Sequence, residues 1–216
     1  AANGPPLFSP GRKLSAASLS LFFALLVILP LLAQGGSHGL ALFDSFYRSG
    51  ALVFGGGHVV LPLLQAEVVN SGWISQDIFL AGYGAVQAVP GPLFTFSAYL
   101  GTAMKVFPNG WLGGILCLLA IFLPSFLLVA GVLPLWEKLR KIDLVRTALI
   151  GVNAAVVGLL MAAFYNPVWS SGILSGWDFL LALVGFCLLT FWQVSPWIVV
   201  TFTGLGGALM TAFMNT

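Results

Sequence analysis

From Trp111 to Trp136 the chain runs "WLGGILCLLAIFLPSFLLVAGVLPLW", without one charged side chain. A helix of that length is longer than the roughly 20 residues that cross a hydrocarbon core. The rest of the chain agrees. Of 216 residues, 59% are hydrophobic and 6% are charged, with a mean hydropathy of +1.04. A soluble domain carries about 25% charged residues, so this chain cannot cover a globular surface with polar groups. It is an integral membrane protein of the all-α class.

Composition also removes several functions. A net charge of +2 with no basic stripe excludes a nucleic-acid surface. Cys117 and Cys187 both lie in apolar runs and read as packed thiols. No CxxC, HExxH or carboxylate cluster has metal-ligand spacing, so neither a metal nor another cofactor is expected. Asp44, Asp77, Asp143 and Asp178 fall mostly at segment ends and no Ser–His pair stands out, which argues against an intramembrane enzyme.

Residues 1–18 are rich in Pro, Gly, Ser and Ala, with Arg12 and Lys13 as their only charges. They read as an interdomain linker ahead of a transmembrane domain over 19–216. A secretory signal would also set basic residues before an apolar run, but here the pair stands far from the start and the remainder is polytopic. Five spans are expected: Leu19–Ala33, Trp111–Trp136 with Pro124 kinking it, Val145–Tyr165, Trp177–Val194 and Trp197–Met214. Tryptophans fall near their ends, as an interfacial aromatic belt requires. Lys138, Arg140, Lys141 and Arg146 are half of the eight basic residues, which places residues 137–146 in the cytoplasm; the membrane is expected to be a bacterial inner membrane.

Two further apolar segments, Leu40–Val69 and Ile78–Met104, are interrupted by Gly55-Gly56-Gly57 and Pro90-Gly91-Pro92. The pieces on either side of the breaks are about 12 residues, or about 18 Å of helix, enough to reach a midplane and not to cross. Two re-entrant helical hairpins are expected, in preference to two long kinked spans. Broken helices at membrane depth persist where protein or a watery cavity satisfies the backbone. Half-helix N-termini there present free N–H groups and a partial positive charge to an anion. "GGGHVV" and "PGPLFTFS" both read as such starts, with Thr95 and Ser97 supplying hydroxyls. The plainer alternative is that the glycines permit close packing and the prolines kink.

Charged groups in such segments are candidates for function. Arg48 can pair with a dianion through its planar fork, or with Asp44 one helical turn earlier. His58, Glu67 and Asp44 are the candidate proton-coupling groups. Lys105 reads as an interfacial anchor, Asn153 as a hydrogen-bonding residue between helices, and Gly151, Ala154, Ala155 and Gly158 as a close-packing face. "GLGGALM", 204–210, reads as a packing face toward another domain or subunit.

The stretches "FYRSGALVFGGGHVVLPLLQAEVVNSGWIS", "FLAGYGAVQAVPGPLFTFSAYLG" and "GWLGGILCLLAIFLPSFLLV" strongly resemble the chromate ion transporter family, closely over residues 43–129. The family pattern falls on Arg48, Gly55, Gly56, Gly57, Pro62, Glu67, Gln87, Pro90, Gly91, Pro92, Pro124 and Ser125. This resemblance implies export of chromate, with sulfate competing or exchanged, driven by the proton or chemiosmotic gradient. It also implies likeness to the C-terminal domain of a long member, partnered by a homologous N-terminal domain or a second subunit. Where members often have an acid and a base, this chain has Gln65 and Ala66, which leaves Glu67 alone for proton coupling. An anion channel built from the same hairpins, and a structural domain supporting a partner, are the competing readings.

Overall fold

The computed structural model describes residues 11–53, 59–89, 93–139 and 141–214, and the regular secondary structure among them is entirely helical. Gly55, Gly56, Gly57, His58, Pro90, Gly91 and Pro92, and the first ten residues of the expected linker, lie outside the described residues.

Helices α1 (Arg12–Ala33) and α6 (Gly110–Val132) form the frame. Helix α1 starts at Arg12, ahead of the expected Leu19, and so takes in residues 12–18. The two run antiparallel. The Ser15 hydroxyl donates to the Gly131 carbonyl, and a Cβ at Gly131 would stand 2.6 Å from Leu19 Cγ. The basic pair Arg12-Lys13 therefore lies at the end of α6 that leads into the short α7 (Trp136–Leu139). Helix α6 remains α-helical through Pro124, which is fully buried.

Between α1 and α6 in the chain come four short helices: α2 (His38–Leu52), α3 (Val60–Val68), α4 (Gln76–Gln87) and α5 (Phe96–Ala103). At 1.5 Å per residue they measure about 22, 14, 18 and 12 Å, all short of a hydrocarbon core of about 30 Å. Their contacts measure their depth. Gly39, at the start of α2, lies beside Pro108 just before α6, whereas Gly50, near its end, abuts the backbone of Ile121. Ile121 is eleven residues into α6, about 16 Å along it.

The same ruler applies to α5. Its last turn, Gly101 and Thr102, lies against Gly113 and Gly114 at the start of α6, while Phe94, just before α5, meets Phe122 edge to face at 5.5 Å. Within each pair the helices are antiparallel. His38 at the foot of α2 packs on Trp73 beyond the end of α3, and the Tyr99 hydroxyl of α5 donates to the Ile78 carbonyl at the start of α4. So α2–α3 and α4–α5 are two hairpins that enter from the Asn109 end and stop at one level, halfway along α6. Leu42, Phe46, Leu64, Phe79, Phe96, Leu100, Cys117 and Ile121 form the buried core between them and α6.

The C-terminal part is looser. Helix α8 (Asp143–Ala163) ends where Asn166 takes φ −130°, ψ 114°, the extended conformation that a following proline (Pro167) imposes. A short turn, α9 (Ser170–Gly172), leads to α10 (Gly176–Thr190) and α11 (Pro196–Met214). Ser175 and Asp178 cap α10 reciprocally, at 3.2 Å and 2.8 Å.

Among the described residues three of the expected spans are long and apolar enough to cross: α1, α6 with the turn after it, and the stretch 143–172. Helix α10, at 15 residues, is about 22 Å long and falls short of a full crossing. Among the described residues the expected packing face around Asn153 has no partner: a Cβ at Gly151 or Gly158 would meet nothing within 4 Å, and Asn153 is exposed. By contrast a Cβ at Gly206 would stand 3.1 Å from Leu181 Cδ1, so the 204–210 face is at least partly used inside the chain, by α10.

A side chain at Gly50 would collide with the Ile121 carbonyl, and neither backbone can yield without separating α2 from α6. Gly50→Leu is expected to destabilise the protein by at least about 1–3 kcal/mol, the cost of overpacking. Gly151→Leu, entering open space, is expected to leave stability unchanged; thermal unfolding in detergent compares the two.

Candidate functional site

The described residues Gly50 and Phe94, which flank the two breaks, lie near the middle of α6, and α3 and α5 start beyond those breaks. Val59 and Val60 are buried at the start of α3, and the turn Leu93–Thr95 leads into α5. The start of a helix carries a partial positive charge. At the same level end α2 and α4, whose last carbonyls carry the opposite partial charge.

Gln87 is the last residue of α4, half-buried and hydrogen-bonded to the side chain of Tyr83. The Tyr83 ring packs on Phe96 at 6.0 Å, which links the end of one half-helix to the start of the next. Thr95 is half-buried in the turn before α5. Ser97 is fully buried, and its hydroxyl proton is committed to the Phe94 carbonyl at 2.7 Å. Ser97 therefore offers a bound anion no donor while that bond stands.

Arg48 lies on α2 between two carboxylates. Its Nε donates to Asp44 Oδ2 at 3.0 Å, and its Nη2 lies 2.8 Å from the same oxygen and 3.7 Å from Glu67 Oε2 on α3. The spacing of four residues sets Asp44 and Arg48 on one helical face, and the hairpin brings Glu67 across to them. The three differ in environment. The Asp44 side chain is 5% exposed, Arg48 38% and Glu67 33%. Asp44 Oδ1 is buried with no hydrogen-bond partner among the described residues. One guanidinium faces two carboxylates, so with both ionised the cluster carries a net negative charge and opposes an approaching dianion.

Two polar contacts were not foreseen from the sequence. Gln65 Nε2 donates to Gln76 Oε1, and Gln76 Nε2 to the Ser171 hydroxyl, each at 3.3 Å. This chain of bonds joins α3, α4 and α9 near the outer ends of the hairpins. Gln65 is the residue that departs from the family pattern, so the departure was visible while its partner eleven residues on was not. His38 stacks edge-on against Trp73 at 5.0 Å, and its Nε2 is buried without a hydrogen-bond partner among the described residues. Lys105 is exposed in the loop before α6. Among the described residues no three His, Cys, Asp or Glu side chains come together as metal ligands, and Cys117 and Cys187 are unpaired, the first of them buried.

Comparison with known proteins agrees with this architecture. The family model described as "Chromate transporter" matches residues 40–209. "Uncharacterized transporter YwrB" of Bacillus subtilis (strain 168) is 34% identical over 164 residues, 71% of this chain and 78% of that protein. "Uncharacterized transporter YwrA" of the same organism is 28% identical over 178 residues, 80% of this chain and 97% of that protein. "Chromate transport protein" of Pseudomonas aeruginosa is 30% identical over 132 residues, 60% of this chain and 30% of that longer protein. No solved structure matches. With most of its length under the family model and two broken helices inside the matched region, this chain belongs to the chromate transporter family, a family of membrane transporters and not of enzymes.

Proposed function

We propose that the chain carries a chromate-type oxyanion across the membrane, with the two hairpin tips and Arg48 forming its binding site. Family membership supports transport of chromate-type ions. The observation that supports the site is the common depth of the described helix ends: Gly50 lies against Ile121 and Phe94 against Phe122, at one level of α6.

An oxyanion at that level lies before two helix N-termini, each equivalent to roughly half a positive charge. Gly55, Gly56, Gly57 and Gly91 would let backbone N–H groups approach it, Pro90 and Pro92 would hold the second tip, and His58, Gln87 and Thr95 would contribute side-chain polar groups. Ser97 would join after its bond to Phe94 opens. Arg48 adds a full charge from α2, its guanidinium held beside Asp44 and Glu67 on the foot side of the tips. Outward transport follows by alternating access, with sulfate as a competing or exchanged anion. The energy comes from the proton or chemiosmotic gradient through Glu67, Asp44 and His58. A homologous domain or second subunit completes the working assembly.

Uptake of labelled chromate into inverted membrane vesicles tests this. Arg48→Gln and Gly91→Leu are each expected to lower uptake roughly tenfold to a hundredfold at normal membrane insertion, the loss of about 1.5–3 kcal/mol for a charged hydrogen bond. Unlabelled chromate on the far side is expected to accelerate exchange, which a channel would not show. Full uptake by both variants would make this domain a scaffold and remove the site.

A further inference from the structure

The Arg48 guanidinium is not held by one partner. Asp44 fixes it from within its own helix through two contacts on a single oxygen, and Glu67 reaches it from the opposite strand of the hairpin at 3.7 Å. Asp44 is buried and Glu67 is one-third exposed, so a proton can reach Glu67 from water far more readily than it can reach Asp44.

Few other charges intervene. On α2 the remaining titratable groups are His38, against Trp73 at the foot of the hairpin, and Tyr47, whose hydroxyl donates to the Phe22 carbonyl. Helix α6 has no ionisable side chain except the buried Cys117. Helix α1 brings only Arg12 and Lys13, in its first turn at the far end of the frame. Helix α8 meets α3 near Leu160 and carries Asp143 and Arg146 in its opposite, first turn. Helix α3 carries Glu67 alone.

We infer that Glu67 competes with the transported oxyanion for Arg48, so that binding a dianion takes up one proton at Glu67. This rests on the binding site proposed above. Because proton and dianion move together, the pair carries a single net negative charge, so outward movement draws on the membrane potential, inside negative, and not on inward proton flow. Ionised, Glu67 shares the guanidinium with Asp44 and leaves the cluster net negative. Protonated, it gives up its ionic hold on Arg48; the remaining Arg48–Asp44 pair is neutral overall, and the side of the guanidinium turned to Glu67 accepts the anion. The balance is one carboxylate, one proton from water and one dianion giving one carboxylic acid beside a bound dianion. Because the anion favours the protonated form, affinity rises as pH falls, by up to about tenfold per pH unit for a single linked proton. Asp44 acts as a positioning residue that holds the guanidinium in place.

The test uses the full chain in lipid nanodiscs and labelled chromate, with affinity measured by equilibrium dialysis across a pH series. Proton uptake on adding chromate is measured in weak buffer at alkaline pH, where chromate is the dianion. The wild type is expected to take up one proton per anion bound. Glu67→Gln is expected to bind without proton uptake, with a shallower pH dependence and tighter affinity at alkaline pH, while Glu67→Asp restores the linkage. Chromate's own titration is common to all three proteins, so the difference in slope reports the side chain.

An unchanged slope and proton uptake in Glu67→Gln would overturn the inference while leaving the binding site standing. So would loss of the linkage in Asp44→Asn alone. If Glu67→Gln fails to fold, absence of proton uptake by the wild type is by itself enough to overturn it. Absence of chromate binding by the wild type at every pH would overturn the site, and the linkage with it.

Discussion

The architecture depends on backbone-to-backbone contact between glycine-bearing helices in an apolar medium. Gly50 on α2 lies on the Ile121 backbone, Gly101 and Gly113 pair across α5 and α6, and Gly114 fits below Ala98 and Thr102. Lipid tails are as apolar as leucine, so helices there gain little from hydrophobicity and associate through close packing instead. Small residues at these crossings are what let two hairpins too short to span the membrane remain docked on one helix that does. The buried aromatic residues Phe46, Phe79 and Phe96 then fill the spaces that the glycine contacts leave.

Half-depth follows from that docking and has an electrostatic consequence. Helices that end at mid-membrane present backbone groups that lipid cannot satisfy. Helix ends that stop at one level concentrate those groups instead of scattering them. Both hairpins enter from the Asn109 end, so the half of α6 nearer Arg12 and Lys13 packs on α1 without them.

Charge is arranged as sparingly as packing. Within the hairpins the ionisable groups that meet are Arg48, Asp44 and Glu67, and each has a distinct position: buried on the same helix, half-exposed at the centre, half-exposed across the turn. A bare arginine would be costly at this depth, and an arginine with one buried carboxylate would be a neutral structural pair. The second carboxylate is what makes the cluster sensitive to its surroundings, because the three charges cannot all be matched at once.

Much of this was readable in the sequence. The absence of charge over 111–136 specifies α6, and the breaks at 55–57 and 90–92, with pieces of about 12 residues, specify half-length helices. The close pairing of Arg48 with Asp44 follows from a spacing of four. Other features depend on the third dimension. Glu67 comes beside Arg48 only because the hairpin folds α3 back on α2, and Gln65 meets Gln76 and Ser171 only once both hairpins and α9 are in place. Ser97 reads as an available hydroxyl in sequence, yet the turn before α5 presents the Phe94 carbonyl within reach and takes its proton. Gly151 and Gly158 have the composition of a packing face, yet among the described residues a Cβ at either would meet open space, which composition cannot tell.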